Sequence, residues 1–148
     1  MFPKGLILAI SLGVVAGPVF GIILFDIGNE KQLVFVDGDS LSIVTEKKDF
    51  KIGETILIKI INSGTANLTF SDASYGLKIK QLDGILIFQP ISAQVESTLE
   101  PHDEIEYVWN QNKNNGEQVL EGLYKVTSSG VSENGNIVEK SITINLLK

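Results

Sequence analysis

His102 is the one imidazole in this 148-residue chain, and it stands directly before Asp103 and Glu104. A histidine beside carboxylates could exchange protons near neutral pH. Acyl or phosphoryl chemistry would also need its own setting, and the chain has no G-x-S-x-G elbow, P-loop or H-E-x-x-H helix. Histidines in turns flanked by acids are ordinarily solvated, so His102 reads as a surface residue. The absence of cysteine removes thiol chemistry, disulfides and thiolate-bound zinc or copper. Asp37-Gly38-Asp39 sets two carboxylates two residues apart, but the later ligands of an EF-hand loop do not follow. No catalytic residue, metal or cofactor is expected, and the expected role is binding.

Two surface features remain. Asn67-Leu68-Thr69 is the only N-glycosylation sequon, and it has meaning only outside the cytoplasm. Residues 110–118 form a polar stretch between two strand-like segments. Loops on a rigid scaffold commonly carry binding. Asn110, Gln111, Asn112, Lys113, Asn114, Asn115 and Gly116 are therefore the expected contact with a protein partner. Changes at Asn114 or Asn115 are expected to leave stability almost untouched. Charge narrows the partner: beyond residue 25 eleven lysines face eighteen acids, a net −7, and arginine is absent. Such a surface repels phosphate backbones, which excludes nucleic acid.

The elements that must hold this loop are strands. Ile105, Tyr107 and Trp109 alternate with Glu104, Glu106 and Val108, the period of a half-buried strand. Past the loop, Gly122, Tyr124 and Val126 repeat the pattern. Trp109 and Tyr124 are expected to be buried neighbours on strands that pair antiparallel, as core rather than site. The Tyr124 hydroxyl should reach a backbone acceptor near the preceding turn, as in a tyrosine corner. Further strands are predicted at 32–36, 41–45, 54–62, 67–70, 77–81, 85–88 and 136–147, with Asp83-Gly84 as a hairpin turn and 90–98 as a loop or edge crossing. Eight or nine short strands without an amphipathic helix predict an all-β fold, an immunoglobulin-like antiparallel β-sandwich.

Residues 5–25 contain no charge, and a helix of that length spans a bilayer core of about 30 Å. Lys4 precedes it and Asp26 and Glu30 follow, which places Met1 in the cytoplasm. The expected order is a cytoplasmic stub at 1–4, a transmembrane signal-anchor helix at 5–25, a linker with the first short strands at 26–49, and the sandwich at 50–148. Two other readings stay open. Val14-Val15-Ala16 offers the small residues of a signal-peptide cleavage site, and Lys4-Gly5 resembles a short pilin-like leader. Ala9, Gly13, Gly17 and Gly21 recur every four residues, a stripe on which two helices could pack into a homo-oligomer, although Pro18 interrupts it.

Leu99, Pro101, Trp109, Gln111, Gly116, Gly122, Tyr124 and Val126 stand in the order of a known pattern. In it an L-x-P-G-(D/E) turn leads to a strand ending in Trp-x-Gln, then to a polar loop and G-x-Y-x-V. The segment resembles the BsuPI family, the intracellular proteinase inhibitor domain of bacilli, with His102 where the family has glycine. Upstream, FKIGETILIKIINSGTANLTF is similar to the family's first core strand, running from a Gly-Glu turn to Asn62 and on to Phe70. Asp72, Lys78 or Lys80, and Asp83-Gly84 match the next phrase loosely. The resemblance implies an immunoglobulin-like domain, proteinase inhibition as the family activity, and a protease as partner. That activity belongs to a cytoplasmic setting, whereas 5–25 points to the membrane. The expected function is a non-enzymatic, membrane-anchored, extracytoplasmic protein-binding module of the cell surface. The alternative is a structural subunit of a surface assembly or pilin-like filament.

Overall fold

Every regular element among the described residues, 33–148 of this computed structural model, is a strand. The segment 5–25, with Ala9, Gly13, Gly17 and Gly21, and the linker up to residue 32 lie outside them. No helix among the described residues is long and apolar enough to cross a membrane.

Ten strands form: β1 Leu41–Thr45, β2 Asp49–Lys51, β3 Ile56–Asn62, β4 Leu68–Phe70, β5 Lys78–Gln81, β6 Leu86–Phe88, β7 Ser97–Leu99, β8 Glu104–Trp109, β9 Gly122–Ser132 and β10 Ile137–Leu147. A three-stranded sheet has the order β1-β3-β8. The larger sheet runs β2-β10-β9-β4-β7, and the β5-β6 hairpin also pairs with β9. The pairing is antiparallel except between β2 and β10, which run parallel. The chain passes from β1 in the smaller sheet to β2 at the edge of the larger one, and Asn145 N donates to Lys48 O at 2.8 Å where it arrives.

The core follows from period two. Ile56, Ile58 and Ile60 on β3 point inward and are fully buried, together with Trp109 of β8. Tyr124 and Val126 of β9, Ile144 and Leu146 of β10, Ile79 of β5 and Leu68 of β4 belong to the same core. Burying a side chain of this kind contributes about 1.5–3 kcal/mol. The opposite face of β3 is partly covered: Leu57 is half-buried, and Lys59 bridges Glu104 at 3.0 Å and Glu106 at 2.7 Å.

Three expectations are corrected. Residues 33–36 are not a strand; Val36 N to Ser63 O is the backbone bond tying them down, and Val34, Phe35 and Val36 stay largely exposed. Part of 90–98 is not loop, because Ser97–Leu99 pairs with β4. Trp109 and Tyr124 are buried neighbours, 6.2 Å apart edge to face, but β8 and β9 do not pair. They belong to different sheets. The connection at 110–121 is long enough to cross the sandwich, so the rings meet through the core.

Candidate partner-binding surface

The loop after β8 begins with a residue turned inward. Gln111 is fully buried at a left-handed φ of 59°, and its side chain fills the space under the β2–β3 turn. Its Nε2 donates to Lys51 O and Glu54 O, both at 2.8 Å, and its Oε1 accepts from Gly53 N at 3.0 Å. The amide mimics the donor and acceptor of a strand backbone. Gln111 has no surface to offer a partner.

Its neighbours are similarly engaged. Asn112 O accepts from Trp109 Nε1 at 2.9 Å. Lys113 and Glu117 close a small hairpin through a 2.7 Å backbone bond and a 3.1 Å ion pair. The Lys113 ammonium holds the Glu117 carboxyl below its ordinary pKa. Asn114 N donates to Ile87 O at 3.1 Å while its Oδ1 accepts from Gln89 N at 3.0 Å, so one asparagine covers the open edge of β6. Asn115 Oδ1 accepts from Glu117 N, and Gly116 turns the chain at φ 85°. Asn110 is exposed. The loop is braced, and Asn114 is part of the fold rather than a free tip.

A second buried amide pins the other end. Asn62 Nδ2 donates to Ala66 O at 2.8 Å and Leu99 O at 2.9 Å, and Oδ1 accepts from Gly64 N at 3.0 Å. Beside it, Glu100–Asp103 make a turn with Pro101 second and His102 third, closed by Asp103 N to Glu100 O at 3.0 Å. His102 has φ 70°, the conformation that a type II turn requires and glycine supplies most easily. Its ring is exposed and lies edge to face on Phe35 at 4.5 Å.

Asp39 Oδ2 accepts from Ser132 Oγ at 2.8 Å and Asn136 Nδ2 at 2.9 Å, which lowers its pKa. Asp37 is exposed, and no group of three histidine or carboxylate side chains able to hold a metal occurs among the described residues. Asn67 is half-buried just before β4, its N–H donating to Glu133 Oε1 at 3.3 Å.

The surface with most to offer a protein lies just past the loop. Val119 is buried, and the Tyr124 hydroxyl donates to Leu120 O at 2.8 Å. That bond fixes the bend into β9 and leaves the Leu120 side chain 76 % exposed. Burial raises the Tyr124 pKa. Because Tyr124 and Val126 point inward, Leu123 points outward. A groove of about 500 Å³ is lined by Ile52, Leu120, Glu121 and Lys148. A second, of about 420 Å³, lies between Leu82, Asp83, Glu121 and Leu123. Glu121 is the ridge they share. The sequence signal for this surface was slight: Leu123 is an apolar residue on the polar phase of its strand.

No protein-family model matches the chain, and neither does any curated protein. Solved structures similar to it include Spo0M, the sporulation control protein of Bacillus subtilis, at 12% identity and a TM-score of 0.46, over 75% of this chain and 50% of that one. The chain thus spans half the length of Spo0M. The sulfur carrier protein SoxY of Chlorobium limicola f thiosulfatophilum matches at 10% identity and a TM-score of 0.46, over 90% of this chain and 99% of that one. Neither likeness is close enough to bear on function.

Proposed function

We propose that this chain is a non-enzymatic protein-binding module, an immunoglobulin-like domain of the BsuPI kind held outside the cytoplasm by an N-terminal anchor. The observation that carries the reading is the apolar end of the sandwich. Leu82 and Leu120 are 59 % and 76 % exposed around two grooves on a scaffold of paired strands. Clustered exposed leucines on a rigid support are the ordinary mark of a protein contact. Affinity-tagged full chain isolated from its own membranes tests this. A protein retained by the wild type and lost from Leu120→Asp/Leu123→Asp, with both chains unfolding at the same midpoint, supports the reading; identical retained proteins contradict it.

Protease inhibition is the second reading, and the bracing of loop 110–118 favours it. A loop already held in one conformation loses little freedom on entering a cleft. Serine proteases whose rates are unaffected by micromolar full chain would rule it out. The filament-subunit alternative draws on Ala9, Gly13, Gly17 and Gly21, and the mass of the native N-terminus separates it from a retained anchor.

A further inference from the structure

We propose that the outward face of β5 and β9 receives an acidic segment in extended conformation, anchored by an apolar side chain. This rests on the protein-binding reading above and specifies the partner's chemistry.

The starting observation is one of register. Lys80 of β5 stands directly opposite Lys125 of β9. Adjacent strands lie about 4.8 Å apart, and like charges so placed destabilise a sheet. No other strand pair among the described residues sets two like charges in register. The ion pairs among the described residues join Lys47 to Glu54, Lys59 to Glu104 and Glu106, and Lys113 to Glu117. Neither Lys80 nor Lys125 has such a partner among the described residues, although acids outnumber lysines eighteen to twelve in the sequence. Lys78, one step further along the same face, is opposite Thr127 and lies within the field of Asp72. Two like charges facing each other on an acidic protein mark a surface where local stability yields to something else.

The second observation is what adjoins the lysines. Leu123 lies two residues from Lys125, about 7 Å along the strand. Leu82 follows the end of β5, and Leu86 of β6 pairs with Lys80 and is 45 % exposed. A cationic row of Lys80 and Lys125 therefore adjoins apolar Leu86 and Leu123 on one sheet face, next to the groove between Leu82 and Leu123. An extended chain repeats its facing side chains at the same spacing of about 7 Å. An apolar residue seated in the groove would bring a carboxylate two residues on to the Lys80–Lys125 pair, and one four residues on to Lys78. Charge complementarity selects an acidic segment over a neutral one. The far rim of the groove, Asp83 and Glu121, would be driven off an anionic bilayer, whereas a peptide need meet only the lysine row.

The test is a nitrogen-15 NMR titration of the full chain in zwitterionic bicelles. The probe is the end-blocked heptapeptide Gly-Phe-Ser-Glu-Ser-Glu-Gly; its Gln-for-Glu analogue and its Ser-for-Phe analogue are the controls. The expected result is binding with shifts confined to Leu82, Leu123, Lys125 and their neighbours, weaker in high salt and for both analogues. Lys80→Glu/Lys125→Glu should weaken it about tenfold. Folding is checked independently, because Lys125→Glu alone replaces a repulsive pair by an attractive one and should raise the unfolding midpoint. Equal binding of the Gln analogue would overturn the acidic partner while leaving a protein-binding face. Absence of binding by every peptide would overturn the acidic segment, while the protein-binding reading stands or falls on the retention experiment above. Shifts produced instead by adding phosphatidylglycerol to the bicelles would overturn the peptide in favour of a lipid surface.

Discussion

Replacing Gln111 by alanine removes the pin between the loop and the β2–β3 turn. Its amide makes three hydrogen bonds of 2.8–3.0 Å to backbone groups of Lys51, Gly53 and Glu54. Each such bond contributes about 0.5–1.5 kcal/mol net, so their loss costs about 3 kcal/mol. Alanine keeps the Cβ, so the strain of the left-handed backbone cancels between the two proteins. Against a domain stability of about 5–15 kcal/mol this is a large fraction. Urea unfolding followed through Trp109, the sole tryptophan and fully buried, reads it directly. With a urea slope of about 1–3 kcal/mol/M, the midpoint should fall by at least about 1 M. Gln111→Glu sharpens the test. A carboxylate can still accept from Gly53 N, but it presents charge to the carbonyls of Lys51 and Glu54. Burial and those carbonyls raise the folded-state pKa of the new carboxyl above its unfolded value. Its contribution is then most favourable below the unfolded pKa and is lost as pH rises. The variant should approach the wild type near pH 4 and fall away toward pH 7. A Gln111→Ala loss under about 0.5 kcal/mol, or a Gln111→Glu protein as stable as the wild type at neutral pH, would refute the reasoning.

Three further outcomes follow from the packing. Trp109→Ala should cost about 3–5 kcal/mol, read by circular dichroism, because the indole is fully buried and meets Tyr124 and Phe88, each at 6.2 Å. Gly64→Ala should cost about 3 kcal/mol in chemical denaturation, since a Cβ there would lie 2.1 Å from Gly38 O and 2.7 Å from Ser40 N. Tyr107, whose hydroxyl donates to Ala73 O at 2.7 Å, is pushed by burial from 10.0 up to about 12. Its contribution is complete below pH 10 and is lost as pH rises toward 12, so the stability gap to Tyr107→Phe, about 1 kcal/mol at neutral pH, should close across that window.

Much of the sandwich was legible in the sequence wherever apolar residues repeat long enough to show a period. Ile56, Ile58 and Ile60 declare β3, and Ile142, Ile144 and Leu146 declare the end of β10. Asp49–Lys51 and Ser97–Leu99 are three residues each, too short to carry a period. Sheet membership was hidden as well. Nothing local tells Trp109 and Tyr124 that their strands lie in different sheets, because that depends on pairing with β3 on one side and β10 on the other. The loop misled for a physical reason. Asparagine and glutamine look like solvated side chains in a sequence, but here Gln111 and Asn114 bond to distant backbone. The facing of Lys80 and Lys125 is a register effect across forty-five positions of chain, which no local pattern reveals.

The central claim is that the leucine end of the sandwich, and not the tip of the polar loop, meets the partner. Site-specific photo-cross-linking in the producing cells tests it most directly, with a photoreactive side chain placed singly at Leu123 or at Asn115. The account predicts one discrete protein adduct from position 123, reduced when Lys80 and Lys125 are both replaced by glutamate, and none from position 115. An adduct from 115 with none from 123 would contradict it.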